Sequence, residues 1–320
     1  MSVFDDIARP FWLAGLNQVS GRQPKGIGGL ICDENYQIYT QMGFNSFILS
    51  FGDPEPVLEA FAGDINRIGS ASFESVLGIV RSTALPKSMA WLVVQTYYSA
   101  FFAAHALLRM LGESCTPLER EQVHSLNRVG NLFGAAPTSP LIGGIYHLRY
   151  DAATKTISGT SAPGSPHEAF WRVFHGRMVR LSNDALTVST EALVNRQLAA
   201  AKLSELVGNL CFQSAPNGRW LSSVRNSVNY SQRLATWYPY SGQQGYYSGL
   251  FQKALDEWTE DPLNLDLSSY GDQDLRRFQV TCNFIISAFR AVAIDMASRC
   301  GTGRSFHHFG SLGCLNVARR

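Results

Sequence analysis

The chain has 320 residues, of which 45% are hydrophobic and 16% charged, with a formal net charge of +2. That length and apolar content supply a sizeable core and exclude a disordered or low-complexity chain. The near-neutral balance does not call for a polyanion partner, so any recognition of phosphate has to be local. Six cysteines (32, 115, 211, 282, 300 and 314) are scattered without a CxxC pair. With an N-terminus, Met1–Asp6, that lacks the basic and apolar regions of a signal peptide, they read as reduced thiols in a cytoplasmic protein.

In chain order, the first 82 residues read as a small mixed α/β region. Tyr36–Met42 and Phe44–Phe51 resemble short strands parted by Gly43. Asp53-Pro54 is a helix start, and Phe73–Ser82 reads as a further short helix. From Leu85 onward helices dominate, and residues 83–299 form an antiparallel helical bundle. Pro86–Leu111 is a long apolar helix. Thr116-Pro117-Leu118-Glu119 and Ser165-Pro166-His167-Glu168 both have the form of a capping box with proline at the first helical position. Between them, Ile145–Asp151 and Lys155–Thr160 predict a β-hairpin inserted near residues 143–162. Thr190–Phe212 and Asp274–Arg299 carry helical periodicity. Residues 300–320 form a basic tail without acids, expected as a solvated terminus. The fold class is therefore mainly α, a helical bundle with a small N-terminal α/β cap and an inserted hairpin.

The stretch Arg225-Asn226-Ser227-Val228-Asn229-Tyr230 stands out within this apolar setting. At about 100° per residue, Ser222, Arg225, Asn226, Asn229, Tyr230 and Arg233 share an arc of roughly 140°, with Leu221, Val224 and Val228 opposite. Polar groups on a core helix cost stability unless something pairs with them. A ligand is one such partner; an acid such as Glu205 or Asp256 is another.

Trp91–Arg109, with its Gln95-Thr96-Tyr97-Tyr98-Ser99-Ala100-Phe101-Phe102-Ala103-Ala104-His105-Ala106-Leu107-Leu108 core, resembles the second-helix signature of HEPN domains. Leu221–Tyr230 resembles the HEPN Arg-x4-His region, in which Asn often follows the Arg. The likeness spans residues 85–112 and 190–299. It implies an antiparallel bundle, a homodimer or a complex with a partner protein, and a cleft where the Arg motifs face each other. It further implies RNA or nucleotide phosphate as ligand, and for many members metal-independent RNA cleavage in toxin or phage-defence systems. Other members only bind RNA or act as scaffolds. Carried over by position, Arg225, Asn226 and Tyr230 are the catalytic candidates, with Tyr230 in the place of the histidine. An unperturbed tyrosine titrates near 10, which makes it a poorer base at neutral pH than histidine. Asn229, Arg233, Trp237 and Tyr238 are the RNA-binding candidates, the rings offering stacking faces for unpaired bases.

Other histidines are candidates for the missing one. His105 reads as a core imidazole, His124 lies on the helix expected after Thr116, and His167 and His175 share a helix face. Cys300, His307, His308 and Cys314 match no zinc spacing, and neither a metal nor a cofactor is expected. Gly26-Ile27-Gly28-Gly29 lacks the Lys-Ser/Thr of a phosphate-binding loop. Ser88–Leu108 is long and uncharged enough to span a membrane. Its polar residues favour a buried bundle helix instead, and no second such segment is expected because Arg290 and Asp295 interrupt the last helix.

Overall fold

The computed structural model describes residues 2–22, 25–81, 88–231, 233–234, 236–237, 256–268, 274–301 and 310–318. Its α-helices are α1 (Val3–Ala8), α2 (Ile27–Cys32), α3 (Glu55–Arg81), α4 (Met89–Met110), α5 (Arg120–Leu132), α6 (Pro166–Ala185), α7 (Leu193–Leu210), α8 (Trp220–Asn229), α9 (Asp274–Ser298) and α10 (Ser311–Ala318). Among the described residues four strands join them: β1 (Ser46–Ser50), β2 (Glu113–Leu118), β3 (Gly144–Asp151) and β4 (Thr156–Ser161). The protein is mainly helical with one small antiparallel sheet.

α3 and α4 lie side by side at the centre. The start of α3 is as its sequence suggests, with Asp53 Oδ1 accepting the Glu55 N–H at 3.0 Å. The separate short helix expected over Phe73–Ser82 is instead the second half of α3, which runs unbroken for 27 residues. Gly69, Gly78 and several serines thin the apolar pattern there, yet tertiary packing uses the small residues. Ser72 Oγ donates to the Ser99 carbonyl and Ser99 Oγ to the Ser72 carbonyl, both at 2.8 Å, which ties α3 to α4. At Gly69 a Cβ would sit 2.5 Å from the Phe289 ring and 2.8 Å from Ser311, so glycine lets α9 and α10 approach.

The inserted hairpin forms as expected, as β3 and β4, with Tyr150 opposite Ile157. It is the middle of a larger sheet of order β1-β4-β3-β2, all antiparallel. β1 lies within the expected Phe44–Phe51 strand. Tyr36–Met42 is not a strand and contributes only the isolated bridge Gln37–Ser50. A second correction concerns Thr116. It does not cap a helix; Thr116 and Pro117 belong to β2, where Pro117 faces Ile145. β2 is an outer strand, where a residue without an N–H is tolerated. The helix begins three residues later than expected, and Gln122 Oε1 accepts the Glu119 N–H at 2.9 Å. The second capping box is intact: Ser165 Oγ accepts from Glu168 N and Glu168 Oε2 from Ser165 N, both at 3.4 Å.

The tail is not simply a solvated terminus, because α10 packs on α3 and buries Ser311 and Leu312. The expected division at 82/83 falls among residues outside the described set, between the paired helices α3 and α4. Among the described residues, the helix long and apolar enough to cross a membrane is α9 and not Ser88–Leu108; its most apolar stretch is 83% buried inside the fold. Asp295 does not break it, since its buried carboxylate is bound by Arg9 at 2.9 Å and Arg299 at 3.0 Å.

Candidate anion-binding site

α4, α6 and α8 converge on a polar cluster in an aromatic surround. α8 is seated by Trp220, Leu221, Val224 and Val228, all buried. Its C-terminal end is held against the start of α4. Trp237 Nε1 donates to the Val228 carbonyl at 2.7 Å, the Trp237 ring meets Trp91 edge-on at 5.6 Å, and Ala90 N donates to the Thr236 carbonyl at 3.2 Å. Trp237 thus caps and packs, its N–H committed to the helix end.

The polar arc of α8 divides. Asn226 and Tyr230 are exposed, Arg233 is exposed beyond the helix, and Asn229 is half-buried. Ser222 and Arg225 are buried. The angle explains Arg225: it sits about 40° from Leu221, at the edge of the arc nearest the apolar stripe. The helix therefore directs its guanidinium inward, between α8 and α4, with 5% of the residue exposed.

Three phenol rings surround that cation. The guanidinium carbon lies 5.1 Å from the Tyr97 centroid, 5.7 Å from Tyr98 and 5.9 Å from Tyr230. Tyr230 itself is 73% exposed and forms the outer wall. No Asp or Glu among the described residues forms an ion pair with Arg225, and its Nε is buried without a hydrogen-bond partner. Glu205 is engaged by Lys202 at 3.1 Å and Asp256 stands exposed elsewhere, so neither supplies the counter-charge. Cation–π contacts are each worth about 0.5–2 kcal/mol, and leaving a buried charge unpaired costs several kcal/mol. The rings offset part of that cost, and the guanidinium retains hydrogen-bonding capacity for an anion.

Below the guanidinium runs a hydrogen-bonded chain. Trp171 Nε1 donates to Tyr97 Oη at 3.0 Å, and Tyr97 Oη lies 2.8 Å from His167 Nδ1. Tyr97 is fully buried, and burial raises its pKa above the ordinary tyrosine value despite Trp171 and Arg225 beside it. His167 is half-buried. Desolvation first, and the charge of Arg225 second, lower its pKa to about 4, so it is neutral at pH 7. The Ser165 cap places His167 in the first turn of α6, facing α4.

The other expected site residues lie elsewhere. His105 is a core imidazole, stacked on Phe170 at 3.6 Å, its Nδ1 accepting from Arg109 at 3.2 Å. Burial pushes its pKa well below the usual value. His175 contacts Cys211 Sγ at 3.3 Å, and His124 is exposed on α5. Tyr238, His307 and His308 lie outside the described residues. Among the described residues no group of three or more His, Cys, Asp or Glu could hold a metal ion. Neither Tyr97 nor Trp171 stands out as a site residue in the sequence, where His167 is one histidine among several. The signals available were the aromatic pair Tyr97-Tyr98 on a long apolar helix and a histidine in a capped first turn at Ser165–Glu168.

The chain matches no protein-family model, no curated protein and no solved structure. Its site is therefore read from chemistry alone. Arg225 and the phenol rings of Tyr98 and Tyr230 offer donors and ring faces, with no carboxylate paired to the guanidinium among the described residues, which suits an anion carrying an aromatic group.

Proposed function

We propose that this chain is a HEPN-like, RNA-directed protein that holds RNA or nucleotide phosphate at Arg225. The observation that carries the reading is a buried guanidinium with an unpartnered Nε and no carboxylate, in a fold whose other buried arginines have one. Arg225 binds the phosphate, Asn226 on the adjoining exposed surface adds an amide contact, and the outer face of Tyr230 stacks on a base. The reading also draws on the resemblance of the Trp91–Arg109 and Leu221–Tyr230 segments to HEPN motifs. The biological setting of this reading is a toxin or phage-defence system, with the chain acting as a homodimer or beside a partner protein.

A second reading, metal-independent RNA cleavage, draws on His167, which brings an imidazole to the cluster although Tyr230 replaces the motif histidine. The same residues also serve a non-catalytic RNA-binding subunit, and the two separate in one experiment. Purified protein is incubated with total RNA in EDTA, beside Arg225→Ala and Tyr230→Phe. Retained RNA that is lost in Arg225→Ala supports the binding site, and cleavage lost with it supports the nuclease. An absence of both affinity and cleavage in every form removes the proposal.

A further inference from the structure

The direction of the hydrogen bonds at Tyr97 determines what His167 offers a ligand. Trp171 Nε1 is a donor only, and it points at Tyr97 Oη from 3.0 Å. Arg225, the other polar group beside that oxygen, is also donor-only. Tyr97 is fully buried, so its own hydroxyl hydrogen has no water to go to. The acceptor within reach is His167 Nδ1 at 2.8 Å. Were Nδ1 protonated instead, two or three donors would converge on one phenol oxygen and the phenol hydrogen would be buried without a partner, a cost of about 1–3 kcal/mol. The chain therefore runs Trp171 N–H to Tyr97 O, then Tyr97 O–H to His167 Nδ1. Neutral His167 carries its hydrogen on Nε2, which makes no hydrogen bond among the described residues.

An imidazole in that tautomer donates at Nε2 and has no lone pair there with which to accept a proton. At its inner end the cluster then holds two donor groups, Arg225 and His167 Nε2–H, and the imidazole offers no acceptor for a substrate hydroxyl. We infer that the ligand of this site is a terminal phosphate monoester, on a mononucleotide or on an RNA end, gripped by Arg225 and His167 with its base on Tyr98 or Tyr230. This rests on the phosphate-binding reading above and narrows it. Three features select a chain end over an internal phosphodiester. Arg225 is a buried residue with its Nε out of contact with solvent, which favours a protruding group as the one that reaches it. Three rings within 6 Å of it crowd the approach, which a chain end meets more easily than a continuous strand. A monoester also brings three non-bridging oxygens and a charge near −2 to an array of donors without carboxylates.

The test uses one short RNA in three forms, with a 5′-phosphate, with a 3′-phosphate and with hydroxyls at both ends, together with the matching nucleoside monophosphate and inorganic phosphate. Affinities are measured for the full chain, for Arg225→Met and for His167→Ala and His167→Gln. At least tenfold tighter binding of a phosphorylated end than of the hydroxyl form is expected, and the 5′ and 3′ arms say which end is read. His167→Ala should lose most of that preference, and His167→Gln, whose amide N–H can stand near Nε2, should recover part of it. Nitrogen chemical shifts of His167 in the free protein should report the Nε2–H tautomer. Equal binding of all three RNAs, weakened alike by Arg225→Met, overturns the inference and leaves the phosphate-binding reading standing. An Nδ1–H tautomer likewise overturns it. RNA and phosphate affinities that are absent, or untouched by Arg225→Met, overturn both.

Discussion

Three arginines are buried among the described residues, and two of them differ instructively in their company. Arg177, 7% exposed on α6, stands 3.3 Å from Glu113 Oε1 and 3.5 Å from Asp184. Glu113 also binds Arg180 and His147, each at 2.7 Å. Burial pushes the Glu113 carboxyl up, but hydrogen bonds from His147 and Arg180 together hold its pKa below the usual value. Arg225, equally buried, has rings and a phenol oxygen but no carboxylate. Arg109 follows the first pattern through Asp64 at 3.3 Å. One region is a closed charge network whose groups answer one another. The other is an open one, with a positive charge maintained at a cost to stability, and such costs concentrate where a ligand binds.

The comparison breaks first at Glu113. Replacing it by alanine leaves Arg177 only the longer contact to Asp184 at 3.5 Å and should lower unfolding stability by about 3 kcal/mol in denaturant titrations. A loss under 1 kcal/mol would show that the network holds no more than a solvent-exposed pair. Tyr97→Phe comes next. It removes the acceptor of Trp171 and the donor to His167, and should cost about 1–3 kcal/mol while leaving far-ultraviolet dichroism intact.

Arg225→Met sharpens the contrast by its sign. Removing an unpaired buried cation while keeping the side-chain volume should raise stability by about 1 kcal/mol. The same change at Arg177, which abandons Glu113, should lower it.

The smallest effect is the titration of His167. Its folded pKa near 4 lies below the ordinary value of 6.5. The unfolded chain therefore takes up the proton first, and the stability tied to the neutral ring is complete above 6.5 and lost as pH falls towards 4. His105 contributes in the same direction, whereas Asp5, raised to about 6 chiefly by burial, works in the opposite sense over part of that window. The difference between wild type and His167→Phe isolates the term, at under about 1 kcal/mol because the ring is half-exposed.

Much of this was legible in the chain where local chemistry and tertiary packing agree. Ser165 with Glu168, the hairpin from Ile145 to Thr160 and the apolar period of Asp274–Arg299 all lead to the elements observed. It was not legible where packing overrides local pattern. Thr116-Pro117 has capping chemistry but pairs with β3, and α3 crosses its glycines because α9 and α10 use the space they leave. At the site, periodicity alone brings Arg225 to the edge of the buried stripe, so its inward aim could have been read from its angle to Leu221. The Trp171–Tyr97–His167 chain spans 74 positions and depends on how α6 meets α4, which no spacing encodes.

A phosphate site at Arg225 requires the guanidinium to be kept charged and without a carboxylate partner. The direct measurement is the thermal midpoint of wild type and Arg225→Met, each with and without a saturating nucleoside monophosphate. Arg225→Met should melt higher than wild type without ligand, and only wild type should be raised further by the nucleotide. An Arg225→Met protein that melts lower, beside a wild type that the nucleotide does not shift, would make Arg225 a structural cation of the core and rule out the phosphate site.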